Sequence, residues 1–198
     1  MSVIPFIEGK RILEIGHGPG HLQRVLLSRN LVVVGIDESA QMGRLAKRNL
    51  TRRSFSQSPI KPSNVTSASK IASLYYPAYT QINLTRGVAQ RLPFPNESFD
   101  TIVSTFPTEY ITDPSTLAEV RRCLSSKGRV IVLPVVLPKN SFLDWLFKVT
   151  HQSPTETMEV VKSRLKEPFI AAGFEAEIKT LDVKSGILLI VLAKKLSL

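Results

Sequence analysis

The chain has 198 residues and a mass of 22.0 kDa. With 43% hydrophobic residues and a mean hydropathy of +0.06 it carries enough apolar material for one core, which excludes disorder throughout. Lys and Arg outnumber Asp and Glu by 26 to 16, a formal charge of +10, and no apolar run reaches the ~18 to 20 residues that span a bilayer.

Lys10–Ile15 reads as a short buried strand that ends in a glycine cluster. His21–Arg29 follows with Leu22, Val25, Leu26 and Arg29 at helical spacing. Leu31–Ile36 is a continuous apolar run closed by Asp37, the pattern of a parallel strand buried on both faces. Ser39 is placed to cap a helix running to about Thr51, with Met42, Leu45, Ala46 and Leu50 inward. From Arg53 to Lys70 six serines, two prolines and three basic residues dissolve the periodicity, so an insertion or lid over about 53–79 is expected inside a single domain spanning 1–198. Strands are expected at Gln81–Arg86, Ser98–Ser104 and Arg129–Leu133. Between the last two, Asp113 caps a helix Pro114–Leu124, and Lys127-Gly128 reads as a turn. Thr155–Ala172 has helical spacing, with Pro168 expected to kink or restart it. Two strands, Phe174–Val183 and Ile187–Lys194, lie too close in sequence for a parallel crossover. These elements predict an α/β fold: a doubly wound, mostly parallel seven-stranded sheet with one antiparallel strand near the edge, Rossmann-like in its winding.

Charge is distributed unevenly. All nine basic residues between Ser39 and Asn96 lack an acidic neighbour in that stretch, and the remainder of the chain is close to neutral. Such a surface can attract phosphate or anionic lipid, or can simply solvate a helix face. Met1–Lys10 lacks the basic and apolar regions of a secretory signal, so a cytoplasmic location is expected and the sequons at Asn49, Asn64, Asn83 and Asn96 are read as accidental. Cys123 with His17, His21 and His151 offers no zinc-ligand spacing, and no metal is expected.

The most informative stretch is Glu14-Ile-Gly-His-Gly-Pro-Gly20, between the first strand and helix. Glycines there let the chain turn tightly and let a ligand approach the backbone. A dinucleotide fingerprint would have its third glycine where this chain has His21, and a Walker-type loop would carry Gly-Lys-Ser or Gly-Lys-Thr. Glu14 instead puts a carboxylate two residues before the glycines, and a buried carboxylate needs a partner such as a ligand's ammonium. Asp37 closes the neighbouring strand, where its two oxygens can take both hydroxyls of a ribose. Ammonium at one end and ribose at the other describe S-adenosylmethionine. The plainer alternative is that both carboxylates only cap the turns that follow them.

The chain resembles the class I S-adenosylmethionine-dependent methyltransferases, in particular their small-molecule branch with the quinone-biosynthesis enzymes. Arg11–His21 is similar to that family's first motif and Gly35–Met42 to its second. Gly87–Ser104 resembles the third and fourth, with Leu-Pro-Phe and Ser-Phe-Asp intact, while Leu124–Val132 and Ala172-Gly173-Phe174 resemble later landmarks. The resemblance implies S-adenosyl-L-methionine as cofactor. By it Glu14, Gly16, His17, Gly18 and Gly20 line the methionine end and Asp37 the ribose. Glu38 and Met42 fall on the adenine side, Val88, Ala89 and Gln90 at the adenine edge, and Thr105 and Phe106 behind the sulfonium. Val88 stands where the family has an acidic residue, so the adenine amino group is expected to find a backbone or Gln90 acceptor.

Methyl transfer is an in-line displacement for which alignment supplies much of the rate, and an oxygen or carbon acceptor adds a need for a base. Glu109, Tyr110 and His151 are the candidates near strand ends. Ser104–Tyr110 lacks the Asn-Pro-Pro-Tyr pattern of enzymes that methylate nucleic-acid amino groups. Only nine residues precede Lys10, where the family commonly has helices over the acceptor, so that cover is expected from Arg53–Tyr79 and the aromatic Phe142–Phe147. The latter suggests a small apolar or lipid-like acceptor, or peripheral contact with a membrane surface. Three other readings stay open: a non-catalytic cofactor-binding protein, a basic nucleic-acid-binding module, and a nicotinamide (NAD)-dependent oxidoreductase, against which His21 stands.

Overall fold

The computed structural model describes residues 3–29, 31–51, 82–137, 154–183 and 186–196. Seven strands, β1 (Arg11–Ile15), β2 (Val32–Asp37), β3 (Asn83–Arg86), β4 (Phe99–Thr105), β5 (Leu124–Leu137), β6 (Phe174–Val183) and β7 (Gly186–Lys195), form one sheet in the order β3-β2-β1-β4-β5-β7-β6. β7 runs antiparallel to both of its neighbours, and the other pairings are parallel. The chain winds outward from β1 to β3 in one direction and from β4 in the other, so the sheet reverses its winding between β1 and β4. Among the described residues four α-helices accompany it: α1 (His21–Leu27), α2 (Ala40–Thr51), α3 (Pro114–Cys123) and α4 (Pro154–Ala171).

Strand alternation divides the core into two layers. Ile12, Val33, Val103 and Ile131 face Leu22 and Leu26 of α1, whereas Leu13, Ile15, Ile102 and Val130 face Leu117 and Val120 of α3 and Phe169 of α4. Both faces of the sheet's middle are therefore covered, which is why β2 and Val130–Leu133 of β5 read as unbroken apolar runs. The expected caps form: Ser39 Oγ accepts from Met42 N, and Asp113 accepts from Ser115 N at 2.8 Å.

Two expectations are adjusted. Of the kink or restart expected at Pro168, the restart does not occur, since the residue lies within α4. It costs the helix one donor near its last turn, and the burial of Phe169 beside Phe174 holds that turn against the sheet. The turn expected at Lys127-Gly128 belongs to β5: Leu124 pairs with Phe99 and Arg129 with Thr101, so residues 125–128 bulge out of the ladder. The insertion at 53–79, Phe142–Phe147 and His151 lie outside the described residues. No helix among the described residues is long and apolar enough to cross a membrane.

Candidate functional site

A cleft of about 310 Å³ opens at the carboxyl ends of the strands on both sides of the β1–β4 reversal, the place where open α/β sheets bind ligands. β1 and its turn bring Ile15 and Gly16, β2 brings Ile36, Asp37 and Glu38, the turn after β3 brings Gly87 to Gln90, and the end of β4 brings Thr105 to Thr108 with Tyr110. Nine sequence-predicted residues thus meet in one cleft: Gly16, Asp37, Glu38, Val88, Ala89, Gln90, Thr105, Phe106 and the candidate base Tyr110.

Gly16, Gly18 and Gly20 all have left-handed backbones, with φ of 72°, 51° and 81°. A Cβ on Gly16 would stand 2.6 Å from the Tyr110 hydroxyl, so the missing side chain makes room for that phenol. Gly20 is bare for a different reason: a Cβ there would press on Ala46 of α2 at 3.2 Å. It packs two helices and does not line the cleft. His17 is also turned away. Its ring is buried against Gly35, and Nδ1 donates to the Gly18 carbonyl at 2.8 Å. Met42 is half-buried on α2 outside the cleft lining.

Glu14 and Asp37 occupy contrasting surroundings. Glu14 is 1% exposed, lies behind the glycine turn, and its Oε2 has no hydrogen-bond partner. Desolvation pushes its carboxyl up to about 8, opposed by hydrogen bonds from Gln23 of α1 and raised further by Asp37. Asp37 is half-buried at the cleft wall, with Oδ2 accepting from Gly18 N and Oδ1 from Ser39 N, both at 2.9 Å. One carboxylate thereby ties the glycine turn to the entry of α2, and each oxygen keeps a further lone pair.

The turn carrying Val88, Ala89 and Gln90 is held from α3. Arg122 donates to the carbonyls of Leu92 and Phe94 at 3.0 and 2.7 Å and to Asn96 Oδ1 at 2.9 Å. It also pairs with Glu119, whose Oε2 takes Leu92 N at 2.8 Å. This clamp escaped the sequence reading, because nothing in the spacing of Glu119 and Arg122 beyond an i,i+3 pair marks the loop they hold. Gln90 lines the cleft, and its amide reaches toward Asp113.

Beyond β4, Phe106 has a left-handed backbone at φ 53° and is 60% exposed at the cleft. Strain of this kind in a non-glycine residue is held only by a surrounding that over-determines it, here the 2.8 Å bond from Phe106 N to Leu133 O. Tyr110 is half-buried and bonded to Ser104 Oγ at 3.1 Å. Desolvation first, then the charges of Asp37, Glu14 and Glu38, push its phenol up from the ordinary value, which opposes a role as base. Glu109 is exposed beside it and does not line the cleft.

Charge distinguishes the cleft from the rest of the molecule. In a protein of +10, the charged residues lining it are Asp37 and Glu38, with no Lys or Arg among the described residues. A ligand with positive charge fits such walls, and a phosphate does not. The orphaned Oε2 of Glu14 and the open space over Gly18, where a Cβ would meet nothing within 4 Å, suit an aminoacyl nucleoside at this edge. No group of three or more His, Cys, Asp or Glu side chains among the described residues is placed to hold a metal.

A family model for a methyltransferase domain matches residues 13–132. The phosphatidylethanolamine N-methyltransferase of Cereibacter sphaeroides is 29% identical over 126 residues, 63% of this chain and 50% of that protein. The ubiquinone/menaquinone biosynthesis C-methyltransferase of Geotalea daltonii is 25% identical over 140 residues, 69% of this chain and 50% of that protein. A solved S-adenosylmethionine-dependent methyltransferase from Methanosarcina mazei shares the fold with a TM-score of 0.64, across 99% of this chain and 98% of that one, at 19% identity. The chain spans half or less of the length of the curated relatives it matches.

Proposed function

This chain belongs to the methyltransferase domain family, within the class I S-adenosylmethionine-dependent methyltransferases, and from that premise we propose that it methylates a small apolar or lipid-like acceptor at the Phe106 end of the cleft. The observation that carries this reading is an acid-walled cleft, in a basic protein, at the tips of two adjacent carboxylate-bearing strands. When bound, the cofactor supplies a methyl on positively charged sulfur, which the acceptor's lone pair takes while the old C–S electrons stay on sulfur.

The protein's part is to bind and align. Asp37 takes the ribose hydroxyls with the lone pairs its two backbone donors leave. Glu14 reaches the ammonium from behind the turn formed by Gly16, His17, Gly18 and Gly20. Ile36, Val88 and Ala89 give the adenine an apolar wall, with Gln90 at its polar edge and Glu38 on the other side. Thr105 and Phe106 back the sulfonium, and the exposed Phe106 ring offers the acceptor a flat apolar contact. The names of the two lipid-related and quinone-related relatives support an apolar acceptor.

Calorimetry with S-adenosylmethionine, paired with a labelled-methyl screen over lipids, phenols and RNA, tests this reading. Saturable binding and label in a lipid or phenol are expected. Binding of NAD in place of the sulfonium compound overturns the reading, and label confined to RNA moves the acceptor to nucleic acid.

A further inference from the structure

The two edges of the sheet differ. β3 has 4 residues, whereas β6 has 10, contains no proline, and pairs with β7 along its whole length without a bulge. Among the described residues β6 pairs with β7 alone. Alternate residues of an antiparallel strand turn both backbone groups to the same neighbour, so half of the groups on β6 point away from the sheet and form an open template for another strand. We propose that this edge takes the same edge of a second copy: β6 joins β6 of the other molecule antiparallel, about a two-fold axis at Ile178, and the two molecules share one continuous sheet.

Charge selects that centre. A two-fold axis at Ile178 sets Glu177 opposite Lys179 of the second copy, twice, on a face where both side chains are exposed. Within one molecule the two already pair along the strand at 2.9 Å, so the join closes a ring of four alternating charges. Moving the centre one residue back faces Glu177 with its own copy, and moving it one residue forward does the same to Lys179. Like charges directly opposite each other destabilise a ladder, so both neighbouring registers are disfavoured. Shape agrees with charge. On the other face of β6, Phe174, Ala176 and Ile178 lie under α4, while Thr180 and Asp182 are exposed. The same centre sets Phe174 opposite Asp182 and Ala176 opposite Thr180, so the helix of each molecule stands beside the half that the other leaves open.

Analytical ultracentrifugation of the full chain over a range of concentrations is expected to show a species of twice 22.0 kDa. Glu177→Lys and Lys179→Glu each bring like charges face to face at both symmetric places, and each is expected to weaken the dimer at least about tenfold. The double variant exchanges the charges and remakes the ring, and its dimer is expected within about threefold of wild type. Both positions are exposed, and β5 and β7 lie between β6 and the cleft strand β4, so melting and S-adenosylmethionine binding are expected to stay as in the wild type. A wild type that stays at 22.0 kDa at every concentration overturns the proposal. So does a dimer that neither single variant weakens, or a double variant as weak as the single ones; the cofactor reading stands apart from all three outcomes.

Discussion

Two carboxylates sit on neighbouring strands of the same sheet edge, and the fold treats them oppositely. Glu14 pairs with Gly35 one residue short of the end of β1, and strand alternation points it under α1. There it loses water, keeps an orphaned oxygen, and holds its proton up to about 8. Asp37 is the last residue of β2, stays half-buried, and spends an oxygen on each of two backbone amides. One carboxylate is a destabilising group awaiting a partner, and the other is already part of the scaffold. An acidic residue at the right spacing therefore does not reveal its role until the depth of its strand position is known.

The largest effect is expected from Asp37→Ala. Two charge-assisted hydrogen bonds to the ribose, at about 1.5 to 3 kcal/mol each, correspond to at least about a hundredfold loss of cofactor affinity. The same change frees Gly18 N and Ser39 N, so calorimetry and thermal melting should fall together; unchanged affinity would detach Asp37 from the ribose.

Glu14→Gln should separate the two readouts. Its folded carboxyl titrates near 8 and its unfolded one near 4.5. The stability of the wild type is thus fully present below about pH 4.5 and is lost as the pH rises toward 8. The variant escapes this loss, so its melting temperature should match wild type at pH 4 and exceed it at pH 8 by roughly 2 to 4 °C for each kcal/mol recovered. Cofactor affinity should meanwhile drop about tenfold. Unaltered binding would leave Gln23 as the sole partner of Glu14.

Away from the pair, smaller changes are expected. Phe106→Gly relieves the left-handed backbone by about 1 kcal/mol and should raise the melting temperature slightly while methyl incorporation into an apolar acceptor declines. A lower melting temperature would instead mean that the exposed ring packs on something. Arg122→Lys keeps the charge but not the fork that serves Leu92, Phe94, Asn96 and Glu119. Cofactor binding should weaken about two- to threefold, through the loop carrying Val88 to Gln90; an intact affinity would show that this loop holds its shape without the clamp.

Periodicity made most of the architecture legible. Continuous apolar runs marked β2 and β7, glycine and Asp-Pro punctuation bounded α1 and α3, and the short link before β7 announced its reversal. The bulge at 125–128 and the passage of α4 through Pro168 were not legible, because each depends on partners in other elements that over-ride a local preference. At the site, the glycines and Asp37 could be read because their spacing is local. The inward turn of His17, the service of Gly20 to Ala46, and the arrival of Tyr110 over Gly16 could not, since each is a contact between residues distant in the chain.

From residue order alone came the winding of the sheet, the location of its open edge and the acids placed there, all consequences of hydrophobic period and backbone permissiveness in short windows. Protonation, hydrogen-bond direction and the sign of charge lining the cleft came from packing. These depend on how much water the surrounding elements remove from each group and on which donors they bring within reach, and neither quantity exists until the strands lie side by side.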